Sequence, residues 1–290
     1  MLGVSPAVDV SGRGGMGYSP ASAASAREAP AEGVGEVDIT EPMLLKALSW
    51  STKFKNRSLE EADEVMAQTT HLKLHGQGIT RVSDLTSFTG LQVLYLYDNR
   101  IAYMAPLVQC AKLTHLYLQN NALTTTDMIR GLPLLKKLYL DCNRLKCVSG
   151  FEGCVSLEEL HISDQSLGRG ECLRFDDACT ATLSGSLKVL ISQSNQIADA
   201  KPLANLAELE EVDLSNNDLD VDSNLTDFFV RCERLRKLSL LGNPICKTSR
   251  GIEAEAIVSC PNLQEYNNKG VSAQKRKCIL LRHQQSKGKK

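Results

Sequence analysis

Ten cysteines and five histidines in 290 residues are the side chains whose types suit catalysis or metal binding. Spacing decides what they can do. A structural zinc site needs closely spaced Cys and His pairs, and the chain has no Cys-x-x-Cys pair. Instead Cys110, Cys154, Cys232 and Cys260 each stand three residues ahead of a leucine: Leu113, Leu157, Leu235 and Leu263. That constant offset marks them as small apolar core residues, expected to be buried, reduced and metal-free. Cys142, Cys147 and Cys246 fall near turns, where more exposure is expected. His71, His75, His115, His161 and His283 are scattered along the chain. His161 lies near Asp141 and Asp164, but no serine or cysteine nucleophile sits there in an elbow or glycine-rich turn. No phosphate-cradling loop is present. The expectation is a chain with no catalysis, cofactor, metal or small-molecule substrate, whose chemistry is that of a binding surface.

The elements that must carry such a surface are set by a pattern of leucines. Leu-x-x-Leu-x-Leu-x-x-Asn-x-Leu fits at Leu91, Leu94, Leu96, Asn99 and Ile101. It fits again at Leu113, Leu116, Leu118, Asn121 and Leu123, and at Leu135, Leu138, Leu140, Asn143 and Leu145. Looser copies begin at Thr69, Leu157, Leu187, Leu209 and Leu235, with Ser192 in place of one leucine. The ninth template positions run Gln77, Asn99, Asn121, Asn143, Gln165, Asn195, Asn217 and Asn243, with steps of 22 except for 30 before Asn195 and 26 before Asn243. This is a leucine-rich repeat array. One unit cannot bury its own apolar edge; stacked units can. The pattern predicts an α/β solenoid of the twenty-two-residue subclass with about eight repeats. It should have a parallel concave sheet, a convex side of 3₁₀ and short-helix pieces, and a cap at each end.

The return segments have a period of three: Val82, Leu85, Phe88 and Leu91; Val148, Phe151, Cys154 and Leu157; Ala200, Leu203, Leu206 and Leu209. That spacing lines up one edge of a 3₁₀ turn. The inserted residues near Asp218–Asn224 give Leu225, Phe228, Phe229 and Cys232 room for a full α-turn. The template asparagines are expected to bond backbone groups of their own and the neighbouring unit.

Flanking segments differ in composition. Residues 1–38 are rich in Gly, Ala, Ser and Pro and are expected to be disordered. They lack the apolar stretch of a secretory signal, and no apolar run reaches membrane-spanning length. Residues 39–68 read as a helical cap: Thr40 and Pro42 suit a helix start, and Ser58 with Glu61 is a capping-box pattern. Repeats fill 69–245, a terminal cap 246–268, and a basic tail 269–290. The tail holds eight Lys/Arg and no acid, while the whole chain carries a net charge of −1. Read as solvated, it offers Lys275, Arg276, Lys277, Lys287, Lys289 and Lys290 to an acidic polymer such as tubulin tails or nucleic acid. Without interleaved aromatics a base-stacking role is weak.

Between the second and third template leucines lie Lys73, Tyr95, Tyr117, Tyr139, His161, Ile191, Asp213 and Ser239. Three tyrosines at a constant pitch form a ladder on the concave face, with Tyr97 beside it. Asp98, Asp141, Glu158, Asp164, Glu211 and Asp213 form a flanking acidic stripe. The expected protein-binding face is Tyr95, Tyr97, Asp98, Tyr117, Tyr139, Asp141, His161, Asp164 and Asp213.

Val93–Asn99, Leu113–Asn121 and Lys136–Leu140, with the long fifth unit (Glu159, Leu160, His161, Gln165, Leu167, Gly170, Glu171, Leu173, Arg174, Phe175, Asp176), carry a resemblance. They resemble the protein phosphatase 1 regulatory subunit 42 family, testis-enriched leucine-rich-repeat proteins. The resemblance spans roughly residues 60–270. It implies association with the phosphatase catalytic subunit, with γ-tubulin or microtubule-organising centres, and with cilia or flagella. A cytoplasmic, cytoskeletal adaptor is therefore expected. One alternative is a structural axonemal component without phosphatase contact; a more distant one is a nuclear RNA-processing scaffold. No short Arg/Lys-x-Val/Ile-x-Phe/Trp phosphatase-docking motif occurs, so such contact would fall to the concave face.

Overall fold

The computed structural model describes residues 35–48 and 59–287. Ser58 of the capping pattern, most of the Gly/Ala/Ser/Pro-rich segment, and Lys289 and Lys290 of the basic tail lie outside the described residues. Eight parallel strands form the repeat sheet: His71–Lys73, Val93–Tyr95, His115–Tyr117, Lys137–Tyr139, Glu159–His161, Val189–Ile191, Glu211–Asp213 and Lys237–Ser239. Each pairs with the next at the same template position, so Leu72, Leu94, Leu116, Leu138, Leu160, Leu190, Val212 and Leu238 form one inward row. Every member of that row is buried. The strands are three residues long because only the template core alternates inward and outward; its flanking leucines already turn the chain.

The eighth strand is not the last. Glu265–Tyr266 adds a ninth parallel strand, and Lys269–Gly270 folds back antiparallel on it. Asn267 and Asn268, both at positive φ (50° and 60°), make that two-residue hairpin turn.

On the convex side the period-three residues are buried as expected, but their backbone differs in part. Among the described residues, 3₁₀ pieces occur at Asp127–Ile129 and Lys201–Asn205. Elsewhere Arg81–Val82 pairs with Tyr103–Met104, and Cys147–Val148 with Arg174–Phe175, as short parallel strands. The longer units use their extra residues for helices. These are α3 (Asp177–Leu183) in the fifth and α4 (Leu225–Arg231) in the seventh, where Leu225, Phe228 and Phe229 are buried.

At the N-terminal end, α1 (Glu41–Leu48) and α2 (Leu59–Gln68) precede the first strand. Residues 35–38, part of the segment read as a disordered tail, are described and meet the first return segment. Val37 N–H donates to Thr80 Oγ1 at 2.8 Å, Val37 O accepts the Thr80 and Arg81 N–H groups, and Asp38 Oδ1 accepts from Ser83. Residues 36–38 thus cover the backbone of the first return segment, which has no preceding unit to do so. At the other end, α5 (Ile245–Thr248) and α6 (Ile252–Ser259) follow the repeats. The stretch read as a solvated basic tail is instead the hairpin strand and a fifteen-residue helix, α7 (Ala273–Lys287). Arg276 is the reason: its guanidinium donates to the Ile257, Cys260 and Leu263 carbonyls at the end of α6.

Polar groups hold the units together from inside. Asn99 Nδ2 donates to the Leu74 and Leu96 carbonyls at 2.9 Å, and its Oδ1 accepts from the Gln77 and Ile79 N–H groups. Asn143 and Asn217 repeat this pattern. Gln165 does the same with one more methylene. Ser192 is explained here: Asn195 Nδ2 donates to its hydroxyl at 2.8 Å, inside the core. These buried amides leave few orphaned backbone groups where strands end.

The four register cysteines are buried and unbridged. Each thiol also donates to a carbonyl of the preceding unit: Cys110 to Leu85, Cys154 to Ile129, Cys232 to Leu206 and Cys260 to Phe229. Burial pushes the Cys110 thiol up to about 11 and those of Cys232 and Cys260 to about 12, so they stay protonated donors. Among the described residues no group of three or more potential metal ligands occurs.

Candidate protein-binding face

The parallel register converts sequence columns into physical rows. Tyr95, Tyr117, Tyr139 and His161 come from four adjacent strands and stack, with ring centroids 4.8, 4.8 and 4.5 Å apart. The spacing is that of neighbouring strands. All four rings are half-buried, covering one another's faces and presenting their edges. Tyr97 is not part of this row. It stacks on His75 at 4.6 Å, two positions further along the strands.

The stack ends in a hydrogen-bonded anchor that was absent from the expected site. Glu159 Oε1 accepts from the Tyr139 hydroxyl at 3.1 Å and pairs with His161 Nε2 at 2.9 Å, while Oε2 meets Lys137 Nζ at 2.7 Å. These partners, His161 first, hold the Glu159 carboxyl down at about 2 despite its burial. Burial and then the Glu159 charge push the Tyr139 hydroxyl well above the ordinary phenol range. Burial also raises Tyr117 and lowers His115. The outward signal for Glu159 was present in the sequence: it stands two residues before His161, on the same strand face.

The histidines read as scattered come together. His71, His75, His115 and His161 all occupy outward positions of the first five strands or their ends, and only His283 lies elsewhere, on α7. Their separations of 4, 40 and 46 residues hid a shared face.

Two of the acids have a backbone explanation. The eighth template position has positive φ in every unit: Gly76, Asp98, Asn120, Cys142, Asp164, Ser194, Asn216 and Gly242. Asp and Asn tolerate that left-handed conformation better than most residues. Asp98 (φ 58°) and Asp164 (φ 54°) therefore sit at corners that the fold dictates, and Asp98 Oδ1 accepts from Asn120 Nδ2 at 2.7 Å. Asp141 is different. It is half-buried on the face itself, its Oδ1 accepts the Ser163 N–H at 2.7 Å, and burial raises its carboxyl. Asp213 lies two strands beyond His161, in a separate network. It accepts from Gln193 Nε2 at 2.7 Å and from the Ser215 N–H and hydroxyl, and that hydroxyl also meets Ser239. The structure thus groups Tyr95, Tyr117, Tyr139 and His161, places Tyr97 and Asp141 beside them, and sets Asp213 apart.

Two polar atoms on the aromatic half are buried with no hydrogen-bond partner: His75 Nδ1 and Gln119 Oε1. Both belong to the column two residues beyond the tyrosines, which sequence reasoning did not use apart from Tyr97 and Asp141.

Comparison with known proteins agrees with this architecture. Leucine-rich repeats in two copies match residues 89–131 and 111–153. Among solved structures, an internalin (inlF) from Listeria monocytogenes is similar at 19% identity and a TM-score of 0.55, over 77% of this chain and 67% of that one. Internalin C2 (inlC2) from the same organism is similar at 24% identity and a TM-score of 0.47, over 69% of this chain and 92% of that one. Repeat pattern, register, the repeat match and the likeness to inlF converge: this chain is a leucine-rich repeat solenoid, a fold that generally serves protein–protein interaction.

Proposed function

We propose that the chain is a non-catalytic adaptor that binds a protein on the aromatic half of its concave face. The observation that carries this is the Tyr95–Tyr117–Tyr139–His161 stack beside two buried unpaired polar atoms, His75 Nδ1 and Gln119 Oε1. Stacked rings lose little further rotamer freedom on binding and offer both apolar edges and hydroxyls. An unpaired buried acceptor or donor is costly until a partner supplies its hydrogen bond.

Supported by the resemblance of the second to fifth units, the partner we propose is a protein phosphatase 1 catalytic subunit, or tubulin and axonemal proteins. The site of action we propose is a cilium, flagellum or centrosome. Asp98, Asp141 and Asp164 would face basic patches of such a partner. The test is pull-down from ciliated cells with the Tyr117→Ala/Tyr139→Ala double variant. A convex-side Gln109→Ala variant is the control. Tyrosines central to an interface cost about 2 kcal/mol or more each on truncation, so the double variant should lose the phosphatase or axonemal chain while the control keeps it. Retention of the partner by a folded double variant moves the site off this face.

A further inference from the structure

The C-terminal helix presents a second surface. The inner side of α7 is fixed: Arg276 reaches three carbonyls, Lys275 Nζ meets Glu253 Oε1 at 2.7 Å, and Ile279 packs against the core. Ser272 caps the helix by accepting the Lys275 N–H. Two of the six cations expected to act as a free electrostatic tail therefore have structural duties. What faces outward is a different set. Lys277 and Arg282 are exposed; Leu280 and Leu281, 37% and 48% accessible, lie on either side of Lys277, and Arg282 lies past Leu281 on the flank next to Lys275. Lys277 is a helical neighbour of both leucines by the i,i+3 and i,i+4 rule.

Charge indicates what covers this patch. Eight of the chain's 33 Lys/Arg lie in residues 269–290 without one acid, so the remainder of the chain carries nine more acids than bases. An acidic partner is repelled by the array and attracted to its C-terminal end. We propose that the outer face of α7 is a docking surface for an acidic protein segment, rich in glutamate with apolar residues interspersed. The carboxylates would pair with Lys277 and Arg282, and the apolar side chains would cover Leu280 and Leu281. A membrane fits less well: the apolar residue Ile279 turns toward the array, which leaves a narrow two-leucine strip where an interfacial helix needs a broad apolar face.

The experiment uses the full chain and a fluorescein-labelled glutamate-rich peptide carrying two leucines, read by fluorescence anisotropy. The peptide should bind, and more weakly as salt rises. Lys277→Glu with Arg282→Glu should weaken it about tenfold or more. Leu280→Ser with Leu281→Ser should weaken it while leaving the salt dependence in place. Neither pair should change thermal melting, because none of the four side chains supports the fold. Tyr117→Ala/Tyr139→Ala should leave peptide affinity unchanged, which separates this surface from the concave face. Equal affinity in the charge-reversed variant overturns the proposal. So does a chain that ignores the peptide but binds phosphatidylserine vesicles through the same residues.

Discussion

The two halves of the concave sheet share one backbone and one core but treat their outward polar groups in opposite ways. In the C-terminal half, Gln193, Asp213, Ser215 and Ser239 bond to one another, and Lys237 pairs with Glu211 at 2.9 Å. Arg236 pairs with Glu210, and Lys188 with Glu158, along the same edge. The outward polar groups named there meet one another. In the N-terminal half, rings cover rings, and His75 Nδ1 and Gln119 Oε1 have no partner. Where a solenoid closes its own hydrogen bonds it offers little to a ligand. Where it leaves stacked edges and unmet acceptors, binding can add what folding did not.

The core beneath both halves should respond alike, and strongly. Leu116→Asp under the tyrosines and Leu214→Asp under the serine network each put a carboxylate where the leucine is fully buried. Both should lose several kcal/mol and the cooperative melting transition. A variant that melts like the parent would show that its unit is not in the register described. On the surface the halves should diverge. The double tyrosine variant should stay folded and lose its partner. Ser215→Ala with Ser239→Ala should cost about 1 kcal/mol of stability and no partner affinity.

A third contrast is in pH. The Glu159 carboxyl is held at about 2, below its ordinary 4.5. A depressed folded value means that its contribution is fully present above the unfolded value and is lost as pH falls from about 4.5 toward 2. At neutral pH Glu159→Gln should therefore lower stability, by at most about 3 kcal/mol. Urea midpoints at pH 7, 4 and 3 should show the gap to the parent narrowing across that window. A Glu159→Gln gap that is the same at all three pH values would remove the anchor from the tyrosine stack.

The array was legible because its determinants are local and periodic. Leu116, Asn143 and Cys154 announce their burial by fixed offsets, and the register follows from counting. The ends were less legible. Nothing in the composition of 269–290 tells that Arg276 meets three helix-end carbonyls, because those acceptors lie 13 to 19 residues away and exist only once α6 has formed. Val37 is bonded to Thr80 across 43 residues for the same reason. Within the face, the tyrosine row was readable from pitch and Glu159 from its place two residues before His161, whereas Gln119 was not, because its role depends on which neighbours remain unpaired. For Asp98 and Asp164 the sequence showed the charge but not the positive φ of the corner they occupy.

That last distinction gives the smallest effect and a sharp test of the aromatic half. The corner position is filled by Gly in units one and eight, by Asn in three and seven, and by Asp in two and five, always at positive φ. What the fold requires there is tolerance of the left-handed conformation, which Asn shares with Asp. Asp164→Asn keeps that tolerance and removes the charge. Asp164→Ala keeps neither, and should cost about 1 kcal/mol. If the corner is purely a backbone device, Asp164→Asn should match the parent in melting to within a few tenths of a kcal/mol and in partner affinity to within about twofold. Titration calorimetry with the captured partner measures both variants against Tyr117→Ala. Should Asp164→Asn lose affinity while its melting curve stays put, the acid acts in binding as well as at the corner, and the binding face extends from the ring stack to the edge of the sheet.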